Sequence, residues 1–305
     1  MPVGEADKGI GAVKGKAYYG IQIQSSIIDW WHDPIESNEL YKHSGKLNTV
    51  LVRPSFIYGV SNKINLALST QIGVRSMIWD QNASSIHHRT ETTLDGFNNA
   101  NPDWLGDSKI IVRYLAKNDG MGEGLRVILG GGLSVPSKSV LTSDPFFLNG
   151  EEKTDHRHFS LSTGSYKYII ESQLFIKRPA NPVFYGGFVI YEHPVSENEH
   201  NYLPPPLLNI SLSATFKRFD KWDSSIGYGA GILQSGNGYW NGIREPNSKS
   251  LSIAPTISYL VNSSGGAFAF NISKPFFFEG SFSSNEGDIG QGSNIWQFTV
   301  SFRKI

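Results

Sequence analysis

Charged and amide side chains interrupt stretches of the chain in which apolar and small polar residues otherwise alternate. The set comprises Arg53, Arg75, Arg113, Arg126, Glu171 and Gln173. An arginine carries five N–H donors and keeps its charge in proteins. A group of arginines with one carboxylate therefore either attracts anions and polar head groups or forms ion pairs that brace the structure around it. The sequence leaves both chemistries open.

Histidine and serine side chains raise two further possibilities. His156, His158 and Ser160 lie together, but a catalytic triad requires spatial geometry that closeness in sequence does not supply. His87 and His88 are neighbours, and no third metal ligand stands at a suitable spacing. No phosphate-binding glycine loop or cofactor motif is present. We therefore expect no enzyme activity, no metal and no cofactor.

The stretch from Tyr58 to Ile78 shows how these side chains are positioned. Tyr58 ends one strand, and the turn at residues 59–63 reverses the chain. Residues from Ile64 then alternate, with apolar side chains on one face and polar side chains, including Gln71 and Arg75, on the other. Strands of soluble proteins usually have about 5–6 residues. A longer strand with one apolar and one polar face is typical of a wall between lipid and water.

Similar alternation recurs about twelve times, and the connections alternate between long and short. Short turns fall near residues 60, 120, 180, 220 and 264. This pattern predicts one all-β, antiparallel, up-and-down transmembrane β-barrel in the bacterial outer membrane, with short periplasmic turns and long extracellular loops. A soluble jelly roll or propeller would have shorter strands and less regular loops. Residues 1–14 form an N-terminal tail or a small plug, and residues 15–305 form the barrel.

Composition is consistent with this prediction. The 305 residues include 27 Lys plus Arg and 27 Asp plus Glu, so net charge gives no sign of a nucleic-acid partner. Cys is absent, which suits passage through an oxidising compartment. No run of 18 apolar residues predicts a membrane helix. The N-terminus lacks an apolar signal region, so a barrel would have lost its signal peptide.

Aromatic residues, proline and glycine mark particular places in the predicted wall. An aromatic girdle at the membrane interfaces is predicted for Trp30, Trp31, Trp79, Tyr58 and Trp296. Pro54 cannot donate to a strand ladder, so we expect a bulge there and a possible inward kink of the wall. The glycine face of Gly227, Gly229 and Gly231 leaves room for a ligand or a kink, or packs against an inward loop.

Several motifs between about residues 55 and 180 carry a family resemblance. They are a Tyr-Gly turn before a strand in YGVSNKINLAL, the Arg113-Tyr114 pair, the glycine-rich GGGLSVPSK, and Thr163-Gly164 before a long strand. In this order they resemble the phenol meta-pathway degradation (transporter-like) family of outer-membrane barrels. The chain departs from such barrels at its end, where Phe302 is followed by Arg-Lys-Ile instead of being the last residue.

The resemblance implies a channel for small, often hydrophobic compounds. We therefore expect passive uptake of small hydrophobic or amphipathic molecules, with lumen residues and long loops setting selectivity. The expected partners are outer-membrane lipid and lipopolysaccharide, the barrel-assembly machinery and a small-molecule solute. The alternatives are a closed structural or adhesive barrel that binds a partner or anchors a surface assembly, and an export pore for a polypeptide.

Overall fold

The computed structural model describes residues 5–33, 43–79, 96–101, 103–119, 122–150, 154, 156–219, 223–280, 282–283 and 290–304. The strands, in chain order, are β1 (Ala17–His32), β2 (His43–Gly59), β3 (Ile64–Trp79), β4 (Leu105–Asn118), β5 (Gly124–Val135), β6 (Lys167–Lys177), β7 (Phe184–Pro194), β8 (Tyr202–Leu203), β9 (Leu207–Thr215), β10 (Ser224–Ser235), β11 (Tyr239–Trp240), β12 (Ile243–Arg244), β13 (Ser250–Ser263), β14 (Gly266–Ser273), β15 (Phe276–Glu279) and β16 (Gln291–Lys304). Among the described residues, no helix is long and apolar enough to cross a membrane.

Twelve of these strands form a closed antiparallel barrel. Around the ring they run β1, β2, β3, β4, β5, β6, β7, β9, β10, β13, β14 and β16, and the pairing of β1 with β16 closes it. The short strand β15 adds to β13 beyond the end of β14. The prediction of a single up-and-down β-barrel of about twelve strands is confirmed. Closure also explains how every barrel strand can cross a membrane without leaving an unpaired edge.

The connections separate by length between the two ends of the barrel. The short turns at residues 60–63, 119–123, 178–183, 216–223 and 264–265 lie at one end, which we call the turn end. The long connections lie at the opposite loop end. Strands β8, β11 and β12 form a small separate sheet within two of these long connections. Both β1 and β16 have their terminal ends at the turn end, as the sequence predicts.

Most barrel strands present an apolar face outward and a more polar face inward. On β3, Ile64, Val74 and Ile78 are exposed, whereas Asn65 on the other face is fully buried. On β4, Ile110, Val112 and Tyr114 are exposed while Arg113 is only 1% exposed. The sequence alone leaves the orientation of this strand ambiguous. A soluble protein would not expose such rows of apolar side chains, so the outer face suits lipid.

The predicted bulge at Pro54 is wrong. The pairs Val52–Ile72 and Ser55–Ser69 follow one register, and Pro54 itself lies opposite Ile21 of β1. The described strand β2 therefore passes Pro54 without an inserted residue. Proline is accommodated because only two rungs of pairing with β3 are interrupted. The glycine strand β10 also keeps a continuous register with β9 and with β13.

Candidate functional site

The N-terminal segment, defined here as residues 5–14, lies inside the barrel near the turn end. The side chains of Ile10 and Ala12 pack with Ile57, Ala67, Ile111 and Ile169 of the inner wall. The Ala12 backbone forms two hydrogen bonds with the Asn65 side chain: its N–H donates to Oδ1 (3.0 Å), and its C=O accepts from Nδ2 (2.8 Å). The segment is thus held by both apolar packing and polar contacts.

A buried charge cluster joins this segment to β4 and β6. Arg113 donates from Nε to Glu171 Oε2 (2.6 Å) and from Nη2 to Asp7 Oδ2 (2.8 Å). The Lys8 ammonium lies 2.7 Å from Asp7 and 3.0 Å from Glu171. Two cations and two carboxylates therefore offset one another out of water. A buried charge is stable only when it is paired in this way.

Three more inward side chains bind the backbone of the segment. Arg303 donates from Nε to the Ala6 carbonyl (2.7 Å) and from Nη2 to the Glu5 and Lys8 carbonyls (3.0 and 2.9 Å). Arg126 donates to the carbonyl of Gly9, and the Gly9 N–H donates to Gln173 Oε1 (2.8 Å). Arg126 and Gln173 thus help to hold the N-terminal segment inside the barrel.

A cavity of about 840 Å³ lies between the N-terminal segment and the long loops. Arg53 and Arg75 both line it. Arg53 donates to two amide oxygens, Gln24 Oε1 (2.9 Å) and Gln71 Oε1 (3.1 Å). Arg75 donates from Nη1 to the backbone carbonyl of Ser160 (2.7 Å). The predicted belt thus divides into arginines that hold the segment and arginines that face the cavity.

Part of the wall across the cavity from Arg53 and Arg75 carries small side chains. It is formed on adjacent rungs of β9, β10 and β13, and we call it the bare wall: Ser211, Ser213, Gly229, Gly231, Ala254 and Thr256. A Cβ atom added at Gly231 would meet no atom within 4 Å. Of the three glycines singled out in the sequence, Gly231 therefore borders open space. Gly229 lines the cavity, but a Cβ there would lie 2.5 Å from the Leu212 carbonyl oxygen, and Gly227 is buried.

Loop residues border the cavity at its other end. Tyr202 and Trp240 pair across the small sheet and stack with ring centroids 4.5 Å apart. The Tyr202 hydroxyl donates to Glu245 Oε2 (3.0 Å), and Glu245 lines the cavity. Burial is the main cause that raises the pKa of Glu245 to about 7. This carboxyl therefore changes its charge near neutral pH.

The aromatic girdle needs a correction. Trp30 and Trp79 lie on the inner face at the loop end, since they fall in the same alternation as Ile28 and Arg75, which line the cavity. Their rings are 5.6 Å apart, and Trp79 also contacts His43. Trp31, Tyr58 and Trp296 lie on the outer face, where Tyr58 and Trp296 are exposed. The error arises because successive residues of a strand point to opposite faces, so Trp30 and Trp31 cannot share one.

The histidines considered in the sequence do not form a serine triad in the described residues. Nε2 of His156 is 2.9 Å from Nε2 of His158, and the Ser160 hydroxyl donates to the carbonyl of Ser162 (2.6 Å). Among the residues that the structure describes, no group of three potential metal ligands occurs. His87 and His88 lie outside the described residues.

Sequence reasoning missed four of the residues around the N-terminal segment. Asp7 and Lys8 belong to a glycine-rich polar stretch that shows no periodicity, so nothing indicates burial. Asn65 and Arg303 do stand on polar faces of alternating strands, which was the available signal. Their partners lie at the other end of the sequence, however, and alternation reveals the face of a residue but not what it contacts.

Comparison with known structures supports the fold. An outer membrane channel from Pseudomonas putida F1 is similar over 98% of this chain and 99% of its own, with a TM-score of 0.62 and 11% identity. Two other barrels are less similar. The P. putida toluene transporter TodX is 7% identical over 96% of this chain and 90% of its own, with a TM-score of 0.42. A Pseudomonas aeruginosa FadL homologue is 10% identical over 95% and 90%, with a TM-score of 0.43. No protein-family model and no curated protein matches the chain.

At this identity the likeness to the first channel concerns the fold alone. The fold and the apolar outer face are both those of a β-barrel of the bacterial outer membrane. The localisation predicted from the sequence is therefore confirmed.

Proposed function

We propose that this barrel is a passive channel through which small hydrophobic or amphipathic molecules cross the outer membrane. The observation that carries the proposal is the cavity of about 840 Å³ between the bare wall and the arginine-bearing wall. Its volume lies in the range of roughly 300–1,000 Å³ that is typical of small-molecule sites. Apolar side chains such as Phe188 and Ile190 also line it, so it offers contacts to both parts of an amphipathic molecule.

The N-terminal segment is the plug of this channel in our proposal. It occupies the turn end of the barrel, where its apolar side chains and its backbone are both bound by the wall. Transport then requires that the segment shift or that solute pass along the bare wall beside it. Among the described residues, the strand side chains that hydrogen-bond the segment belong to β3, β4, β5, β6 and β16. None belongs to β9, β10 or β13, and we therefore propose that the path runs along that side.

The resemblance to the phenol meta-pathway degradation family supports aromatic compounds as one class of solute. Toluene, a small apolar aromatic compound, is therefore a suitable first probe. The outward apolar rows imply lipid neighbours, and insertion by the barrel-assembly machinery remains part of the proposal.

Filling the bare wall tests this proposal. Gly231→Phe places a ring in open space at a position with no positive φ, so the strand should tolerate it. The matched control is Ile257→Phe on the neighbouring strand β13, because Ile257 is 69% exposed on the outer face and does not line the cavity. Toluene and small polar solutes are offered to liposomes that contain each refolded protein, and uptake is followed with planar-bilayer conductance alongside. We expect Gly231→Phe to lower flux severalfold and the control to leave it unchanged; equal flux in all three proteins would contradict the channel.

A closed structural barrel is the second candidate, and one observation favours it. The N-terminal segment covers the turn end, and Tyr202 and Trp240 stand at the loop end of the same cavity. Deleting residues 2–14 separates the two functions. Increased conductance on deletion supports a plugged channel, whereas no conductance in either protein supports a closed barrel.

A further inference from the structure

The charged side chains that line the cavity differ in whether they have a charged partner. Lys8 pairs with Asp7 (2.7 Å) and Lys167 with Asp107 (3.5 Å), and Lys109 forms an ion pair with Glu192. Within the part of the chain that the structure describes, Arg53 and Arg75 form no ion pair. Their acceptors are two amide oxygens and one backbone carbonyl, all of them neutral.

The two guanidinium groups belong to one region of the wall. Arg53 on β2 bonds Gln71 of β3, and Arg75 follows four residues later on the same inward face of β3. Both guanidinium groups line the same cavity. Arg157 adds a third positive charge here, since its Nη2 donates to the backbone carbonyl of Arg75 (3.1 Å). A concentration of positive charge out of bulk water favours an incoming anion.

The N-terminal segment contributes a carboxylate to this cavity that forms no ion pair in the described residues. This carboxylate is Glu5, which lines the same cavity as Arg53, and no ion pair joins the two in the described residues. Glu192 also lines the cavity, although it is already paired with Lys109. Glu5 is therefore an internal counter-charge that a solute carboxylate would compete with. Removing it should strengthen binding of an anion at Arg53.

The opposite side of the cavity suits the apolar part of a solute whose anionic group lies near Arg53 and Arg75. In the ring of twelve strands, β2 and β3 lie half-way around from β9 and β10, which carry most of the bare wall. At Gly231 the space in front of the backbone is open. A molecule with its anionic group between Arg53 and Arg75 can therefore extend its apolar body toward Gly229 and Gly231.

We propose that Arg53 and Arg75 form a binding site for the carboxylate of an amphipathic monocarboxylate whose apolar body lies against the bare wall. Two guanidinium groups with unused donors match a carboxylate, because each can donate two parallel hydrogen bonds. Arg113 and Arg126 are not part of the site, since they bind Glu171, Asp7, Asn118 and the Gly9 carbonyl. The inference rests on the proposed function and specifies its solute class.

Benzoate and its neutral analogue benzamide test the site. The dissociation constant of each is measured by calorimetry on the refolded full-length barrel at low and high salt. For the wild type we expect tighter binding of benzoate, weakened by salt. Arg53→Gln with Arg75→Gln should weaken benzoate binding at least about tenfold, as expected for loss of charge-assisted hydrogen bonds, and leave benzamide unchanged. Arg218→Gln is the matched control, because Arg218 is an exposed arginine at the turn end.

Glu5→Gln keeps the test decisive if the double variant fails to fold. It removes the competing charge without touching either arginine, so benzoate should bind severalfold more tightly and benzamide equally. Equal binding of benzoate and benzamide to the wild type, or benzoate binding unaffected by all these changes, would overturn the site. Flux of neutral toluene, measured on the same proteins, reports on the proposed channel separately. Toluene flux without benzoate preference contradicts only the site, and benzoate binding without any flux contradicts only the channel.

Discussion

One of the side chains that hold the N-terminal segment is an amide that can be replaced with little change of shape. Asn65 is fully buried on β3, and both of its side-chain groups bond the backbone of Ala12, which is itself fully buried. Asn65→Leu keeps the approximate volume and abolishes both hydrogen bonds. It leaves the N–H and the C=O of Ala12 without partners as long as the segment stays docked.

The free-energy cost of Asn65→Leu follows from the two unpaired backbone groups of Ala12. A buried backbone group that loses its partner costs about 1.5 kcal/mol, so two cost about 3 kcal/mol in the docked state. In the undocked state both groups return to water and this cost disappears. Because 1.4 kcal/mol corresponds to a factor of ten, the ratio of docked to undocked segment should fall roughly hundredfold.

Cysteine labelling measures that ratio directly. The chain has no native Cys, and Ile10 is buried at 6% exposure, so Ile10→Cys reacts with a maleimide only when the segment leaves the lumen. We expect Asn65→Leu to raise the labelling rate roughly hundredfold and to increase channel conductance. The control is Asn271→Leu, another buried asparagine of the inner face, which bonds Ser258 but not the segment.

Two outcomes would refute different parts of the reasoning. An unchanged labelling rate in a barrel that still shows the heat-modifiable migration of a folded protein would mean that the amide pair does not hold the segment. Faster labelling without any rise in conductance would mean that the segment undocks but is not the plug.

Three further predictions concern other parts of the barrel. Arg113→Met leaves Glu171 as a buried charge with fewer partners and should lower the free energy of unfolding by about 3–5 kcal/mol, measured by urea titration in detergent. Since burial raises the pKa of Glu245 to about 7, its ionisation opposes loop folding. Stability of residues 236–249 should therefore be greatest below pH 4.5 and fall as the pH rises through 7, by hydrogen exchange, with Glu245→Gln removing this dependence. Gly186→Ala should prevent proper assembly, visible as lost heat-modifiability, because φ there is +151° and the new Cβ would lie 2.1 Å from the Leu174 carbonyl oxygen.

The barrel itself could be predicted from the sequence because its determinants are local. Alternation on β3 and β16 depends only on whether each face meets lipid or the interior, and the short turns appear as compact polar segments. The ends of strands are harder to predict where residues of a long connection contact the strand end. Strand β6 begins at Lys167, a few residues after the Thr163-Gly164 pair, because the Thr163 carbonyl accepts from Asn198 and the Ser165 hydroxyl donates to the Ser196 carbonyl. Those contacts come from a different connection, which no local pattern reports.

The site was less predictable because it depends on pairing across the lumen. Arg53 and Arg113 look alike in the sequence, since both are single arginines on alternating strands. In the structure Arg113 meets Glu171 and Asp7, whereas Arg53 meets only amide oxygens. This difference in partners comes partly from the N-terminal segment. The segment places Asp7 against Arg113 of β4, whereas its Glu5 forms no ion pair with Arg53 in the described residues. The sequence left bracing and anion binding as alternatives for these arginines. In our proposals Arg113, whose charge Asp7 of the segment helps to neutralise, braces the barrel, whereas Arg53, which forms no ion pair in the described residues, binds an anion.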